Sequence, residues 1–540
     1  MTMPDELTSP FMPAPPQAAR TSVVAHARRS GDTARERSWA QFCSVRWGAL
    51  LEGLPWLKLA VIVAMASIVA IGPVAAQQDV YVAPVAPWPY TDFGRPGDVT
   101  SIRTDARLGT TTVTFATGVR LIVKPTRFSP GQVSVIAAFG NGRSGVPDRL
   151  VHALWATTLF PIGGTGKLSY AELDRWQRTS GQAVNVTLVP AASAFHLKGE
   201  VASSDLLTEM QLLAAYARDP GFREDLPAKI AQVGPIIASQ IEGNPASTFM
   251  RGVQHTLFGA RYQELPEGSD IEATIGNDVP EILGAALATR ADVAIVGDIS
   301  VENAVRATAA TFAAGPHMRA ARRAKIRTPV LRQGTPPFLF EHQGPADDAW
   351  LGEYWPLPDF VTNSRANRIA EVAAAVIEDR LRRVMPTSRN GAAAPAVRSV
   401  ASLELRGRGK LGIALELHPA EIPAARTRID GLVGDLAKGR TSADEVERAR
   451  LAVMTARTSE ETSNDWLASR LAIVLRDGRI ATPMAEAGDP TIISRDDVAV
   501  FLKRYVAGHG RVIVISGSAK DLTTANSIRR YHAKFDTDAL

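Results

Sequence analysis

Nine histidines are the residues best suited to hold a metal or move a proton: His26, His152, His196, His255, His317, His342, His418, His509 and His532. A helical zinc site needs two ligands on one face, one turn apart. No two of these histidines lie three to five residues apart, and neither His-Glu-x-x-His nor the inverted His-x-x-Glu-His occurs. The single cysteine, Cys43, can make neither an internal disulfide nor a cysteine-based zinc site.

Two glycine-rich stretches could cradle phosphate. Phe139–Gly145 (FGNGRSG) contains Gly140-x-Gly142-x-x-Gly145 after an apolar strand, formally a dinucleotide fingerprint. Pro147 and Asp148 start a fresh helix instead of continuing one from the third glycine, and no acidic residue ends a second strand at the required distance. Pro161–Ser169 (PIGGTGKLS) approaches a phosphate loop, but Pro161 stands where the first glycine belongs and Leu168 where a hydroxyl would meet magnesium. Ser144 is not the nucleophile of a serine hydrolase elbow, because Val146 occupies the second glycine position. Both stretches read as turns.

The elements that would position such groups follow from periodicity. Thr110–Pro125 alternates around a Thr-Gly turn and predicts a hairpin. Strands are expected at Gln132–Ala138, Ala183–Val189, Ala194–Val201 and Ala291–Gly297. Helices are expected at Asp148–Phe160, Tyr170–Thr179, Asp205–Arg218, Pro227–Glu242, Ala246–Leu257, Asp278–Thr289 and Val301–Ala313. After a basic, proline-containing joint, Ala320–Pro337, the pattern recurs. It gives a strand at Asp348–Trp355, a long helix at Asn363–Arg383 and a hairpin from Ala396–Leu405 and Lys410–Leu417. Helices at Glu421–Ala437 and Ser442–Leu475 and a strand at Arg511–Ser516 complete it. Phe195–Arg218 echoes Leu411–Lys438, and Ala291–Ser300 echoes Gly510–Lys520. Strand and helix do not alternate strictly, so the fold class is α+β rather than a doubly wound parallel sheet. Two tandem homologous domains are expected, each a mainly antiparallel sheet with helices on one face.

Composition bounds the function. The 540 residues are 45% hydrophobic and 21% charged, ordinary for a folded protein. Net charge is +5; beyond residue 76 there are 53 basic and 50 acidic residues, too even for a nucleic-acid footprint. Residues 1–44 have the composition of a disordered leader. Within 45–76, Lys58, the apolar run Leu59–Ile71 and the small residues to Ala76 read as a signal peptide cleaved after Ala76, or as an anchor, since Leu54–Ala76 is almost long enough to span a membrane. Arg28-Arg29 lies too far upstream to carry a twin-arginine signal. Either way the rest is expected outside the cytoplasm, periplasmic or otherwise exported, where a cysteine-free chain avoids oxidation. Residues 77–105 read as a proline-rich linker, 106–320 as the first domain and 321–540 as the second.

Taken in order, several segments resemble the inverted-motif zinc peptidases of the insulinase, pitrilysin and mitochondrial processing peptidase group. They are Phe115–Lys124, Val133–Arg143, Gly163–Glu172, Gln182–Leu188, Ile241–Pro245, Phe258–Leu265 with Ile271–Ile275, Asp292–Asp298 and Ser442–Arg450. The resemblance spans about Thr111 to Ser518. It implies two α+β domains forming one half-shell, which closes with a second half-shell around a peptide chamber.

It also implies the half without zinc. The family's zinc helix would fall near Val151–Phe160. If His152 matches the first ligand, Trp155 replaces the glutamate base and Ala156 the second histidine. The third ligand would fall near Ile236–Ile237, just before Glu242. Isoleucine cannot bind zinc, and without the glutamate nothing activates a water. His152 is then a degenerate position, and zinc belongs only to a partner chain. The zinc-free half of the family often contacts substrate through an Arg and a Tyr after a long helix. Here Arg383 and Arg389 are available, but no tyrosine occurs between Tyr354 and Tyr505; otherwise these arginines are a solvated helix end. Three readings follow: a noncatalytic subunit enclosing unfolded peptide with a zinc-bearing partner, a zinc peptidase with unconventional ligands, or a peptide-binding envelope scaffold.

Overall fold

The computed structural model describes residues 87–519, apart from 224, 323, 325–336, 386–393 and 479–489. The leader, the signal or anchor at Leu54–Ala76 and Arg389 lie outside the described residues. Among the described residues, no helix is long and apolar enough to cross a membrane.

The first sheet has seven strands: β1 (Val99–Asp105), β2 (Thr110–Phe115), β3 (Arg120–Pro125), β4 (Gln132–Phe139), β5 (Thr187–Pro190), β6 (Phe195–Ala202) and β7 (Asp292–Gly297), in spatial order β1-β2-β3-β7-β4-β6-β5. Only β3 and β7 run parallel. The second sheet has β8 (Phe338–Glu341), β9 (Ala349–Leu357), β10 (Ala396–Ala401), β11 (Gly409–Leu417) and β12 (Val512–Gly517), in order β10-β11-β9-β12-β8. Here only β12 and β8 are parallel. Reversed, this order matches β3-β7-β4-β6-β5 strand for strand, parallel pair included. The echo in the sequence is therefore a duplicated five-stranded unit, and β1 and β2 are an addition to the first copy.

Each lobe adds helices to its sheet, most of them packed on one face of it or on one another. In the first lobe these include α1 (Tyr170–Ser180), α2 (Leu206–Arg218), α3 (Leu226–Glu242), α4 (Pro245–Phe258), α5 (Gly268–Ala273), α6 (Asp278–Leu287) and α7 (Val301–Ala310). In the second they include α8 (Ser364–Val384), α9 (Ile422–Ala437), α10 (Ala443–Glu461), α11 (Asn464–Arg476) and α12 (Arg495–Tyr505). All described residues fall in one compact unit of the chain. The lobes exchange cover within it. From the second lobe, α11 lays Leu467, Ala468, Leu471, Ala472 and Leu475 on Ile122, Ile136, Ala294 and Val296 of the first sheet. From the first lobe, α4 lays Phe249, Val253 and Leu257 on Trp350, Tyr354, Val512 and Val514 of the second. This explains why β4 and β7 read as continuous apolar runs: they are covered on both faces.

Four expectations change. Asp148–Phe160 is not an α-helix but 3-10 turns, Asp148–Ala153 and Trp155–Gly163. The Thr157 and Thr158 hydroxyls donate to the carbonyls of Leu154 (2.6 Å) and Trp155 (2.7 Å), and Pro161 lies inside the run; both favour the tighter winding. Ser442–Leu475 is two helices, because Ser463 breaks the run and its hydroxyl caps α11 by accepting the Trp466 amide. The strand expected from Ala183 begins only at Thr187. Val99–Asp105 is β1, where the composition suggests linker. The residues before it also pack on the first lobe: Trp88 lies 4.4 Å from Trp176, ring to ring.

Candidate functional site

The 3-10 backbone decides what the candidate zinc position can do. His152 and Ala156 are four residues apart, about 40° apart around an α-helix but about 120° around a 3-10 helix. His152 Nε2 instead lies 3.2 Å from Asp278 Oδ2 at the start of α6. That oxygen also accepts the Ile275 amide at 2.8 Å.

Trp155, at the position of the missing base, is buried. Its indole N–H donates to Thr274 Oγ1 at 3.0 Å, and that hydroxyl donates to the Asp270 carbonyl. The ring packs toward α3 at Gly234, where a Cβ would sit 3.6 Å from the indole and 2.5 Å from Ile271. Ile236 and Ile237 follow on the same helix. Trp155 and Ala156 are both part of the first lobe's apolar core.

Nearby polar groups are tied to each other. His255 Nδ1 is 3.1 Å from Gln263 Oε1, and Gln263 Nε2 donates to Asp270 Oδ2 at 3.0 Å. Burial pushes the Asp270 carboxyl up against the opposing pull of the Glu267 amide. Among the described residues, no group of three His, Cys, Asp or Glu is placed to hold a metal ion.

Both glycine-rich turns are internally occupied. Arg143 is buried and donates to the carbonyls of Pro190 (2.6 Å) and Gln263 (2.7 Å). Burial lowers its pKa to about 10, against the pull of Glu264. Gly142 has φ +55° and a Cβ there would sit 2.2 Å from the Ala191 carbonyl, so glycine is required for close approach to the turn before β6. In the second turn, Tyr90 Oη donates to Asp219 Oδ2 at 2.7 Å, lies 2.7 Å from Thr165 Oγ1 and accepts the Lys167 amide at 2.9 Å. The Gly166 amide goes to the Asp219 carbonyl. In the second turn every backbone amide from Gly164 to Ser169 already has a partner within the protein.

Arg383 is exposed at the end of α8, and its guanidinium pairs with Asp379 one turn back. Arg448 also approaches that carboxylate, at 3.3 Å. Burial would raise the Asp379 carboxyl, but Arg383 and Arg448 hold it below the usual range. Arg383 and His152 lie in different lobes, and nothing in their contacts joins them. The sequence reading missed Glu353. It is fully buried in β9, with Arg426 Nε at 3.2 Å and Arg511 Nε at 3.0 Å. Burial pushes its pKa up to about 7 against the pull of both arginines. An acid inside the otherwise apolar run AWLGEYWPL was the available signal.

The arrangement of two such lobes recurs in solved structures. The ferredoxin protease FusC in complex with Arabidopsis ferredoxin is similar at TM-score 0.62 and 13% identity, over 85% of this chain and 50% of that one. The periplasmic protease PqqL from Escherichia coli is similar at TM-score 0.63 and 16% identity, over the same shares. The peptidase M16 inactive domain from Pseudomonas fluorescens is similar at TM-score 0.60 and 15% identity, over 76% of this chain and 98% of that domain. No family model and no curated protein matches the sequence. The chain spans about half the length of FusC and PqqL. Its fold is the two-lobed α+β half-shell of the insulinase/pitrilysin-type peptidases. That fold also occurs in a domain described as inactive.

Proposed function

We propose that this chain is an exported, noncatalytic half-shell that encloses unfolded peptide together with a zinc-bearing partner subunit of the same fold. The observation that carries this reading is Trp155: a buried, hydrogen-bonded indole at the position that the resemblance gives to the general base, with His152 and position 156 in two separate 3-10 turns, Asp148–Ala153 and Trp155–Gly163. Supporting it, isoleucines, Ile236 and Ile237, stand where the resemblance would put the third ligand. Peptide would add to a sheet edge through main-chain hydrogen bonds. The short edge strand β5 packs beside the Trp155–Gly163 turns and is the edge nearest the degenerate position. The leader and the periplasmic location of PqqL support export.

The test is co-expression with a zinc-bearing protein of this fold from the same genome. A one-to-one complex that cleaves unfolded peptide, with zinc only in the companion, is the expected result. Zinc near one equivalent together with hydrolysis by the isolated chain would instead make it a peptidase in its own right. Peptide binding without any companion would make it an envelope scaffold.

A further inference from the structure

The first sheet carries one apolar row from edge to edge. Registered neighbours run Leu188, Leu197, Ala137, Val293, Leu121, Val113 and Ile102, one residue per strand from β5 to β1. Six of them are 0–1% exposed, and Ile102 is 62% exposed. The helix cover stops at β2, and the row continues past it into solvent.

The rest of β1 is equally open. All its residues except Asp105 are exposed, and no described strand pairs with its outer edge. The second lobe completes the same five-stranded unit without a counterpart, so the fold does not require β1. An irregularity at Thr100 confines regular pairing to Ser101–Asp105. Among the described residues no proline, lysine or covering helix lies on Ser101–Asp105; of the usual protections of an edge strand it has the irregularity at Thr100 and the charges of Arg103 and Asp105, which leave the backbone of Ser101–Asp105 open. On the face opposite Ile102, Arg103 is exposed and pairs in register with Thr112, with no acid among the described residues ion-paired to it. β1 is six strands from β5, roughly 29 Å at the usual strand spacing, so it is not the edge beside the degenerate zinc position.

We propose that the outer edge of Ser101–Asp105 is a β-augmentation site for an extended segment of a separate protein. That segment alternates apolar and polar residues, with an apolar side chain covering Ile102, a carboxylate facing Arg103 and an uncharged side chain facing Asp105, which shares the face of Arg103 and is held by Arg107. Backbone pairing supplies affinity, and the two side-chain positions supply register. The proposal holds whether or not a companion carries zinc.

The test uses the full chain and synthetic octapeptides of alternating Val and Ser in which one central Ser is replaced by Glu (the Val/Glu peptide) or by Lys (the Val/Lys peptide), and the Val/Glu peptide with a central proline. Fluorescence anisotropy is expected to show the Val/Glu peptide binding about fivefold more tightly than the Val/Lys peptide, from one favourable against one unfavourable cross-strand charge pair. Arg103→Glu is expected to reverse that order, and the proline peptide to lose binding. Both Arg103 and Ile102 are exposed, so Arg103→Glu and Ile102→Ser leave the core untouched. Hydrogen exchange is expected to slow at the amides of 101–105 and not at 187–190. Equal binding of both charged peptides, or protection only at 187–190, overturns the proposal. So does concentration-dependent protection of 101–105 without peptide, which would mean pairing with a second copy. Protection of the dilute unliganded chain would mean that its own residues cover the edge.

Discussion

Arg476 Nη1 lies 3.1 Å from Asp292 Oδ2, a pair that ties the end of α11 to the first strand residue of β7. Asp292 is buried and also receives Arg120 Nε at 2.8 Å, while Arg476 reaches the Gly140 carbonyl at 2.5 Å. Removing the carboxylate takes the counter-charge from the half-buried guanidiniums of Arg120 and Arg476, although Arg476 keeps its carbonyl partners. Asp292→Ala should therefore destabilise by about 3 kcal/mol. Urea unfolding should show a lower midpoint with an unchanged slope.

Trp155 gives two expectations. Trp155→Ala leaves a cavity and removes the donor to Thr274 Oγ1, whose own bond to the Asp270 carbonyl remains, and should cost about 4 kcal/mol. Trp155→Glu combined with Ala156→His restores the residue types of the inverted zinc motif. It should still hold far less than one zinc per chain by elemental analysis, because the 3-10 turn splays the two histidine positions and Ile236 and Ile237 offer no third ligand. Stoichiometric zinc in that double variant would contradict the site geometry.

Glu353 makes stability depend on pH. Its folded pKa of about 7 lies above the ordinary 4.5, so the fold disfavours the ionised form. The carboxyl imposes no penalty below pH 4.5. The penalty grows as pH rises from 4.5 to 7 and is constant above, reaching about 3 kcal/mol. Glu353→Gln should lack this slope. The difference in unfolding free energy between the two proteins, measured from pH 5 to 8, should shift in the variant's favour as pH rises.

Gly199 and Glu209 compete for one space. A Cβ on Gly199 would sit 1.7 Å from Glu209 Oε1. Glu209 is fully buried, its other oxygen accepts the Asn185 amide at 3.0 Å, and burial pushes its carboxyl well above the usual range. Gly199→Ala should cost about 2 kcal/mol. In the Glu209→Ala background the same change should cost less than half as much, as read by a double-mutant cycle.

Much of the fold was written locally. The apolar runs at β4, β7 and β12 and the amphipathic α2 and α8 follow from period alone, and the duplication followed from their order. β1 was hidden because its core-face apolar residues, Val99 and Ile102, are exposed and the irregularity at Thr100 breaks their spacing, so VTSIRTD shows no buried alternation. The four-residue β8 is too short for a period to show. The helix expected over the zinc position failed because hydroxyl-to-carbonyl bonds and Pro161, not apolar spacing, set its winding. The burial of Trp155 and Ala156 agrees with their apolar character. The indole's partner was not legible, because Thr274 is 119 residues away. The destination of α11 was equally hidden: Leu467, Leu471 and Leu475 specify an apolar stripe, not which sheet receives it.

The reciprocal loan of α4 and α11 bears on how a peptide would gain entry. Swinging one lobe away from the other would strip a helix from both sheets at once and expose Ile122, Ile136, Ala294 and Val296 to water. The chain has no inexpensive internal hinge and should travel as a rigid plate. Any doorway must form along its outer boundary with another molecule, and a gene cut at the joint would yield two pieces, each missing part of its own lining.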